Sequence, residues 1–164
     1  MVVNPCPCGF YNDPEKQCNC SLQEIKRYNR KISGPLLDRI DIHIRVPRVS
    51  YGELSATKQA ESSAVIRQRV AAARQRQLKR LEKYGIVCNA QMTSAILKKT
   101  CVLTKEAQAI LRGAFIEKKL SARSFDRLKK VARTIADLDG SNIITDIHIA
   151  EAIQLRNDVG VNIE

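Results

Sequence analysis

The sequence predicts a mostly α-helical protein, in which a short α/β portion with a cysteine loop precedes an all-helical bundle. Residues 55–83 contain no Gly or Pro and are rich in Ala, Gln and Arg, which is typical of one long helix. From residue 86 onward, apolar side chains recur at helical spacing behind Ser and Thr residues that suit helix N-caps. Residues 41–46 alternate polar with apolar side chains, as a half-buried strand does.

The N-terminal part begins with a predicted loop. Residues 1–20 contain three prolines and a glycine, which interrupt regular structure. Ser21 and Glu24 then match a capping box, so a helix is predicted from there to about Lys31. A second break and a short turn or helix lead into the strand predicted at 41–46.

The C-terminal part is predicted to contain four helices in residues 86–164, with the third ending at Gly140. Each helix follows a residue able to act as an N-cap, namely Thr93, Thr104, Ser121 and Thr145. The predicted division is therefore into residues 1–50, a connecting basic helix in 51–85, and a helical bundle in 86–164.

The composition favours an anionic partner. The formal net charge is +11, which suits nucleic acid, nucleotide phosphates or an acidic protein face, although a solvated basic surface is the alternative.

No apolar run reaches the roughly 20 residues of a membrane span, and no leader peptide is recognisable. We therefore expect a cytoplasmic protein without a membrane partner. The apolar start, which leads at once into a cysteine loop, further suggests a fragment excised from a longer protein.

Four cysteines stand in two tight pairs near the N-terminus: Cys6, Cys8, Cys18 and Cys20. In a reducing compartment, such clustering suggests metal ligation more than disulfides. Four thiolates are the ligand set of a structural tetrahedral Zn²⁺ site, which leaves no open position for catalysis. A reduced, metal-free loop and a disulfide formed on purification are the alternatives.

Four segments form an ordered series: NPCPCG at 4–9, ISGPLLDRIDIHI at 32–44, SARSFDR at 121–127 and VARTIADL at 131–138. Together they closely resemble the C-terminal half of the magnesium-chelatase-like AAA+ ATPases, specifically the bacterial competence protein M (YifB-type) family. The resemblance covers almost the whole chain. It implies the end of an AAA+ α/β core, with the sensor 1 strand, an arginine-finger helix and the last strand, followed by a helical lid.

The resemblance implies roles for three residues in ATP hydrolysis. Asn4 matches the sensor 1 residue, whose amide would orient the attacking water, although Asn4 before Pro5 could simply begin a turn. Arg39 matches the arginine finger, which would reach nucleotide on a neighbouring subunit; an ion pair with Asp38 or Asp41 is the alternative. Arg123 matches sensor 2. It stands in a first helical turn, where the helix dipole disfavours a cation without a partner.

The same resemblance implies what the intact protein does. The chain has neither a G-x-x-x-x-G-K-[ST] phosphate loop nor the acidic run of a Walker B strand, so ATP and Mg²⁺ would bind only in the intact protein. Its partners would be its own missing N-terminal half and AAA+ core, further copies in a ring, expected to be a hexamer, and DNA in competence or recombination. This chain alone should be inactive. A zinc-stabilised basic nucleic-acid-binding module and a true magnesium-chelatase subunit are the alternatives.

A basic surface is predicted on the helix in residues 67–83. Phosphate contact by these side chains would be sensitive to salt, and a solvated helix face is the alternative. The candidate residues are Arg67, Arg69, Arg74, Arg76, Lys79 and Arg80.

Overall fold

A computed structural model describes residues 2–31, 34–37, 39–55 and 60–157. The chain divides into two compact units. One contains residues 1–58 with 157–164, and the other contains residues 59–156. Each unit is described by itself.

The first unit contains a cysteine loop and three short helices, α1 (Leu22–Asn29), α2 (Gly34–Leu37) and α3 (Tyr51–Ser55). The predicted capping box is confirmed. Ser21 accepts a hydrogen bond from the backbone N–H of Glu24, and the Glu24 carboxylate accepts one from the backbone N–H of Ser21 at 2.8 Å. This reciprocal pair makes α1 begin directly after Cys20.

The strand predicted at residues 41–46 is wrong. These residues have no regular secondary structure, and among the described residues no strand accompanies them. The apolar side chains of the alternating pattern are exposed, with Val46 at 82%. Alternation shows which side chains could share a face, but a strand forms only where a neighbouring segment accepts its backbone hydrogen bonds.

The second unit is helical and contains the core. Its helices are α4 (Ser63–Leu81), α5 (Ser94–Thr100), α6 (Lys105–Glu117), α7 (Ala122–Asp139) and α8 (Asp146–Asn157). The four helices predicted after residue 86 are confirmed as α5 to α8. The long helix begins later than the predicted residue 55, because Ser62 caps it, and residues 56–59 lie outside the described part.

The core of this unit joins all five helices through aliphatic side chains, since aromatic residues make up only 4% of the chain. Leu81 of α4, Leu97 of α5, Leu111 of α6, Leu128 of α7 and Ile149 of α8 are all buried in one cluster. In the described part of the chain, no helix combines the length and apolarity that a bilayer crossing requires. The buried cluster therefore fixes the positions of the five helices that carry the surface side chains of this unit.

Candidate metal centre and arginine sites

The four N-terminal cysteines converge on one point. Their sulfurs all lie within 4.8 Å of one another. The Sγ atoms of Cys6 and Cys8 are 3.3 Å apart, those of Cys8 and Cys18 are 3.5 Å apart, and those of Cys6 and Cys18 are 3.7 Å apart. All four thiols are free, and Cys6 is completely buried.

Local backbone geometry produces this convergence. The N–H of Gly9 donates to the carbonyl of Cys6 at 3.0 Å, which closes a tight turn around Cys8. Gly9 has φ = 84°, a left-handed conformation that favours glycine. Asp13 closes the second turn, because its carboxylate accepts hydrogen bonds from two following backbone N–H groups at 2.9 and 3.0 Å. After these two turns, Cys18 and Cys20 lie beside Cys6 and Cys8.

The spacing of the sulfurs fits a tetrahedral zinc ion. A Zn–S distance of about 2.3 Å places the sulfurs of a regular tetrahedron about 3.8 Å apart. The separations of 3.3 to 3.7 Å among the sulfurs of Cys6, Cys8 and Cys18 are close to that value and far above the bond length of about 2.05 Å in a disulfide. The sulfur of Cys20 lies within 4.8 Å of the other three. The donor set, four thiols on one short loop, is that of a closed structural site. The residues present therefore fit a zinc ion.

Hydrogen bonds and neighbouring sulfurs shift the pKa values of the clustered thiols in opposite directions. The backbone N–H of Phe10 lowers the pKa of the Cys8 thiol to about 6, with further donation from Cys6 and Cys20. The backbone N–H of Cys8 lowers the pKa of Cys20, but desolvation and the adjacent sulfurs outweigh it and raise that pKa to about 12. One thiolate therefore forms readily, whereas further ionisation requires a positive charge at the centre.

Asn4 and Arg39 both lie at the surface of the first unit. Asn4 is exposed, and its side chain lies against Gly9, where an added Cβ would be 3.9 Å from the Asn4 Cγ atom. Arg39 is exposed in the turn after α2, and its backbone N–H donates to the carbonyl of Leu36 at 3.0 Å. Asp38, one predicted partner of Arg39, lies outside the described residues.

Arg123 lies in the first turn of α7 and is exposed. Ser121 caps this helix by accepting from the backbone N–H of Ser124 at 3.1 Å. Among the residues that the structure describes, none forms a hydrogen bond or an ion pair with the Arg123 side chain. A guanidinium therefore stands beside the positive end of a helix dipole without a compensating anion.

A buried polar network, which the sequence did not predict, joins α4 to the other end of α7. The carboxylate of Asp137 is 0% exposed and accepts both forks of Arg80, at 2.6 and 2.7 Å. It also accepts from Asn89 at 2.8 Å and from the Nε atom of Arg133 at 3.2 Å. Burial lowers the pKa of the Arg133 guanidinium, and the charge of Asp137 opposes that shift.

Two arginines, Arg133 and Arg76, donate hydrogen bonds to carbonyl groups at and just after the C-terminus of α7. Arg133 donates to the carbonyls of Ser141 and Asn142, and Arg76 donates to the carbonyl of Asp137 at 2.8 Å. Gly140 adopts φ = 80°, and an added Cβ there would be 3.2 Å from a guanidinium nitrogen of Arg76. Cations at the last carbonyls stabilise a helix C-terminus, so α7 is held tightly at this end.

The six basic residues predicted as a nucleic-acid surface on α4 therefore have different environments. Arg76 and Arg80 bind α7. Arg69 forms a two-pronged pair with Glu61 at 2.8 and 3.0 Å, and Arg74 donates to Gln77 at 3.2 Å. Among the described residues, the exposed side chains of this set that form no hydrogen bond or ion pair are Arg67 and Lys79.

Comparisons with known proteins match both units. The family described as "Magnesium chelatase, subunit ChlI C-terminal" matches residues 60–156, and "Magnesium chelatase, subunit ChlI" matches residues 1–54. YifB of Escherichia coli is 43% identical over 156 residues, which cover 94% of this chain and 30% of that protein. YifB of Salmonella typhimurium is 36% identical, again covering 94% of this chain and 30% of that protein.

Competence protein ComM of Haemophilus influenzae is also similar. It is 37% identical over 156 residues, covering 94% of this chain and 30% of ComM. The chain thus spans somewhat under a third of the length of the curated relatives that it matches.

Proposed function

Because the chain belongs to the magnesium-chelatase-like family that includes YifB and ComM, we propose that it is the sensor and lid portion of a ring-forming AAA+ ATPase. In the intact protein, the remaining core holds ATP and Mg²⁺. The ring, a hexamer of identical subunits in the cytoplasm, acts on DNA in competence or recombination, for example in branch migration. This chain contributes residues that respond to the bound nucleotide.

The observation that carries the proposal is the environment of Arg123. Within the described residues its guanidinium has no ionic partner, and it stands at a helix end that repels cations. A phosphate group supplies the missing negative charge. Arg123 therefore acts as sensor 2, which contacts the phosphates when the lid approaches the nucleotide.

The network at the far end of α7 supports this role. A residue that senses a phosphate must be held on a rigid element, since small displacements weaken charge-assisted hydrogen bonds. Arg80 of α4 donates to the Asp137 carboxylate at 2.6 and 2.7 Å, and Arg76 of α4 donates to the Asp137 carbonyl at 2.8 Å, which holds α7 against α4. When the lid moves, α7 then moves as one rigid element together with Arg123.

Arg39 and Asn4 act from the first unit. Arg39 serves as an arginine finger that reaches the nucleotide of the neighbouring subunit and stabilises negative charge in the transition state. Asn4 serves as the sensor 1 amide, which orients the attacking water. Both side chains are exposed on the first unit.

The cysteine cluster has a structural role in this proposal. Cys6, Cys8, Cys18 and Cys20 would hold Zn²⁺, which supplies the stabilisation that a loop without an apolar core lacks. Asn4 precedes the first ligand by two residues and lies against Gly9. The metal would therefore keep the sensor 1 amide at a constant position.

DNA contact by this chain would involve α4. Arg67 and Lys79 are the predicted residues best suited to phosphates, with Arg69 and Arg74 available on exchange of their partners.

The exposed basic helix and the metal-binding loop also favour a second candidate function, a zinc-stabilised nucleic-acid-binding module without an ATPase role. Strong, salt-dependent binding of DNA by this chain alone would favour that candidate.

The matched family descriptions name a magnesium-chelatase subunit, which is a third candidate. A role in a competence-type protein fits better than a role in a chelatase, because the chain carries the cysteine loop, which we associate with the competence branch. Chelatase activity of the intact protein on a metalloporphyrin precursor would overturn this preference.

The experiment that tests the proposal is the Arg123→Ala substitution in the intact protein. We expect ATP turnover to fall by about 10²-fold or more, because a charge-stabilising group is lost from the transition state. Arg30→Ala is the matched control, since Arg30 is an exposed arginine after α1 with no proposed role. Turnover equal to that of the control would contradict the sensor role.

A further inference from the structure

A groove of about 630 Å³ lies between α5, α6 and α7 in the helical unit. Two phenylalanines form one edge, with Phe115 and Phe125 packed nearly perpendicular at 5.6 Å between ring centroids. The floor contains Cys101 and Leu111, which are both buried. The apolar lining consists of Cys101, Val102, Leu103, Leu111, Phe115 and Phe125.

Three cations line this groove and no carboxylate does. Lys98, Arg112 and Lys129 come from α5, α6 and α7, respectively. Among the residues that the structure describes, no carboxylate lies within ion-pair distance of any of the three. An apolar depression that is positively charged from three sides is complementary to an apolar side chain flanked by carboxylates.

Lys129 is the strongest sign of a ligand. Its side chain is largely buried, with 9% of the residue exposed, and its ammonium lies 5.8 Å from the centre of the Phe125 ring. Within the described part of the chain it forms no hydrogen bond and no ion pair. The ammonium nitrogen itself is not fully buried, so water solvates it in the free chain. A carboxylate of a partner would replace that water with an ion pair at the edge of the apolar lining.

The groove is separate from the nucleotide-sensing face. At about 100° per residue, Phe125 and Lys129 lie about 200° and 240° around α7 from Arg123. A ligand in the groove would therefore contact the side of the helix away from the phosphates proposed for Arg123.

We propose that this groove is a docking site for an acidic amphipathic segment of a partner protein. An apolar side chain of the segment enters between Phe115 and Leu103, and neighbouring Asp or Glu residues pair with Lys129 and Arg112. A helical segment supplies this pattern with apolar residues three or four positions apart and carboxylates beside them.

Nucleic acid fits the groove less well than a peptide. Phe115 and Phe125 are the two aromatic residues of the lining, and their rings pack against each other nearly at right angles, so they do not form a row of parallel rings on which successive bases could stack. A nucleic-acid backbone would satisfy the cations but leave the apolar lining exposed to water. A peptide with apolar and acidic side chains would pair with the cations and also cover the apolar lining.

The test is a selection of random peptides of about 12 residues, roughly three helical turns, against the whole chain. We expect the selected peptides to combine apolar anchors with flanking Asp or Glu. In fluorescence polarisation with a labelled selected peptide, Arg112→Glu should weaken binding about tenfold or more, because like charges are then opposed. Lys83→Glu, which changes the same charge outside the groove, is the matched control.

Lys129→Met separates a binding role from a structural one. If the ammonium is kept for a ligand, its removal weakens peptide binding while thermal stability stays the same or rises. Selected peptides without acidic residues, or equal effects of Arg112→Glu and Lys83→Glu, would overturn the proposal. So would a labelled single-stranded oligonucleotide that binds in place of the peptides and is lost in the Lys129→Met variant.

Discussion

Replacing Asp137 with asparagine removes the charge on which the α4–α7 junction depends. The carboxylate accepts hydrogen bonds from three side chains, Arg80, Asn89 and Arg133, at 2.6 to 3.2 Å. An asparagine keeps only one acceptor oxygen, and its NH₂ group would face N–H donors. Arg133, which is completely buried, would then lose its counter-charge.

The expected loss is large for a single substitution. Removing one partner of a buried ion pair costs about 3–5 kcal/mol, because the remaining charge is left uncompensated. Whole domains are stable by about 5–15 kcal/mol, so Asp137→Asn should remove from about a fifth to nearly all of the free energy of unfolding of the helical unit. The measurement is urea denaturation followed by circular dichroism at the helix band, with the free energy extrapolated to water.

An exposed ion pair at the start of α4, between the helix and a residue that precedes its N-cap, provides the control. Glu61 pairs with Arg69 at 2.8 Å, and their side chains are 41% and 52% exposed. Glu61→Gln should therefore cost only about 0–1 kcal/mol. If Asp137→Asn costs no more than this control, the junction does not depend on the buried charge, and the argument that the network rigidifies α7 fails.

Two further predictions concern the first unit. Hydrogen bonds from Ser21 lower the pKa of Glu24, so its contribution to α1 is present above the ordinary value of 4.5 and is lost as pH falls through the lower folded value. Ser21→Ala should raise the Glu24 pKa only part of the way to the ordinary value in an NMR titration, because the backbone N–H of residue 21 can still donate while the hydroxyl is lost. An unchanged pKa would contradict the part that the hydroxyl has in the capping box. The purified chain should contain about one zinc ion, measured by elemental analysis. Cys6→Ser should lose the ion to a chelator that leaves it in the Cys88→Ser control, and equal retention in both variants would contradict the site.

Local patterns made the helices and the clustering of the four cysteines predictable. Ser21 with Glu24, Thr104 and Ser121 act on backbone groups within one turn, so their capping roles could be predicted from neighbouring residues alone. The convergence of Cys6 and Cys18 followed from the turn residues between them. Such features depend on short stretches of chain.

Contacts between distant residues were not predictable in the same way. Arg80 and Asp137 are 57 positions apart, and nothing near Arg80 distinguishes it from the exposed arginines of the same helix. The alternation at residues 41–46 gave no information on whether a neighbouring strand would be present. Charge pattern and periodicity describe what a segment can do, whereas tertiary contacts decide what it does.

The central claim is that this chain supplies arginines to a nucleotide held by other parts of the ring. The most direct measurement compares ATP turnover and ATP affinity of the intact protein with and without Arg39→Ala. We predict that turnover falls about 10³-fold or more while the affinity for ATP stays nearly unchanged, because the finger acts mainly on the transition state. Unchanged turnover, or an equal loss of turnover and affinity, would contradict the claim.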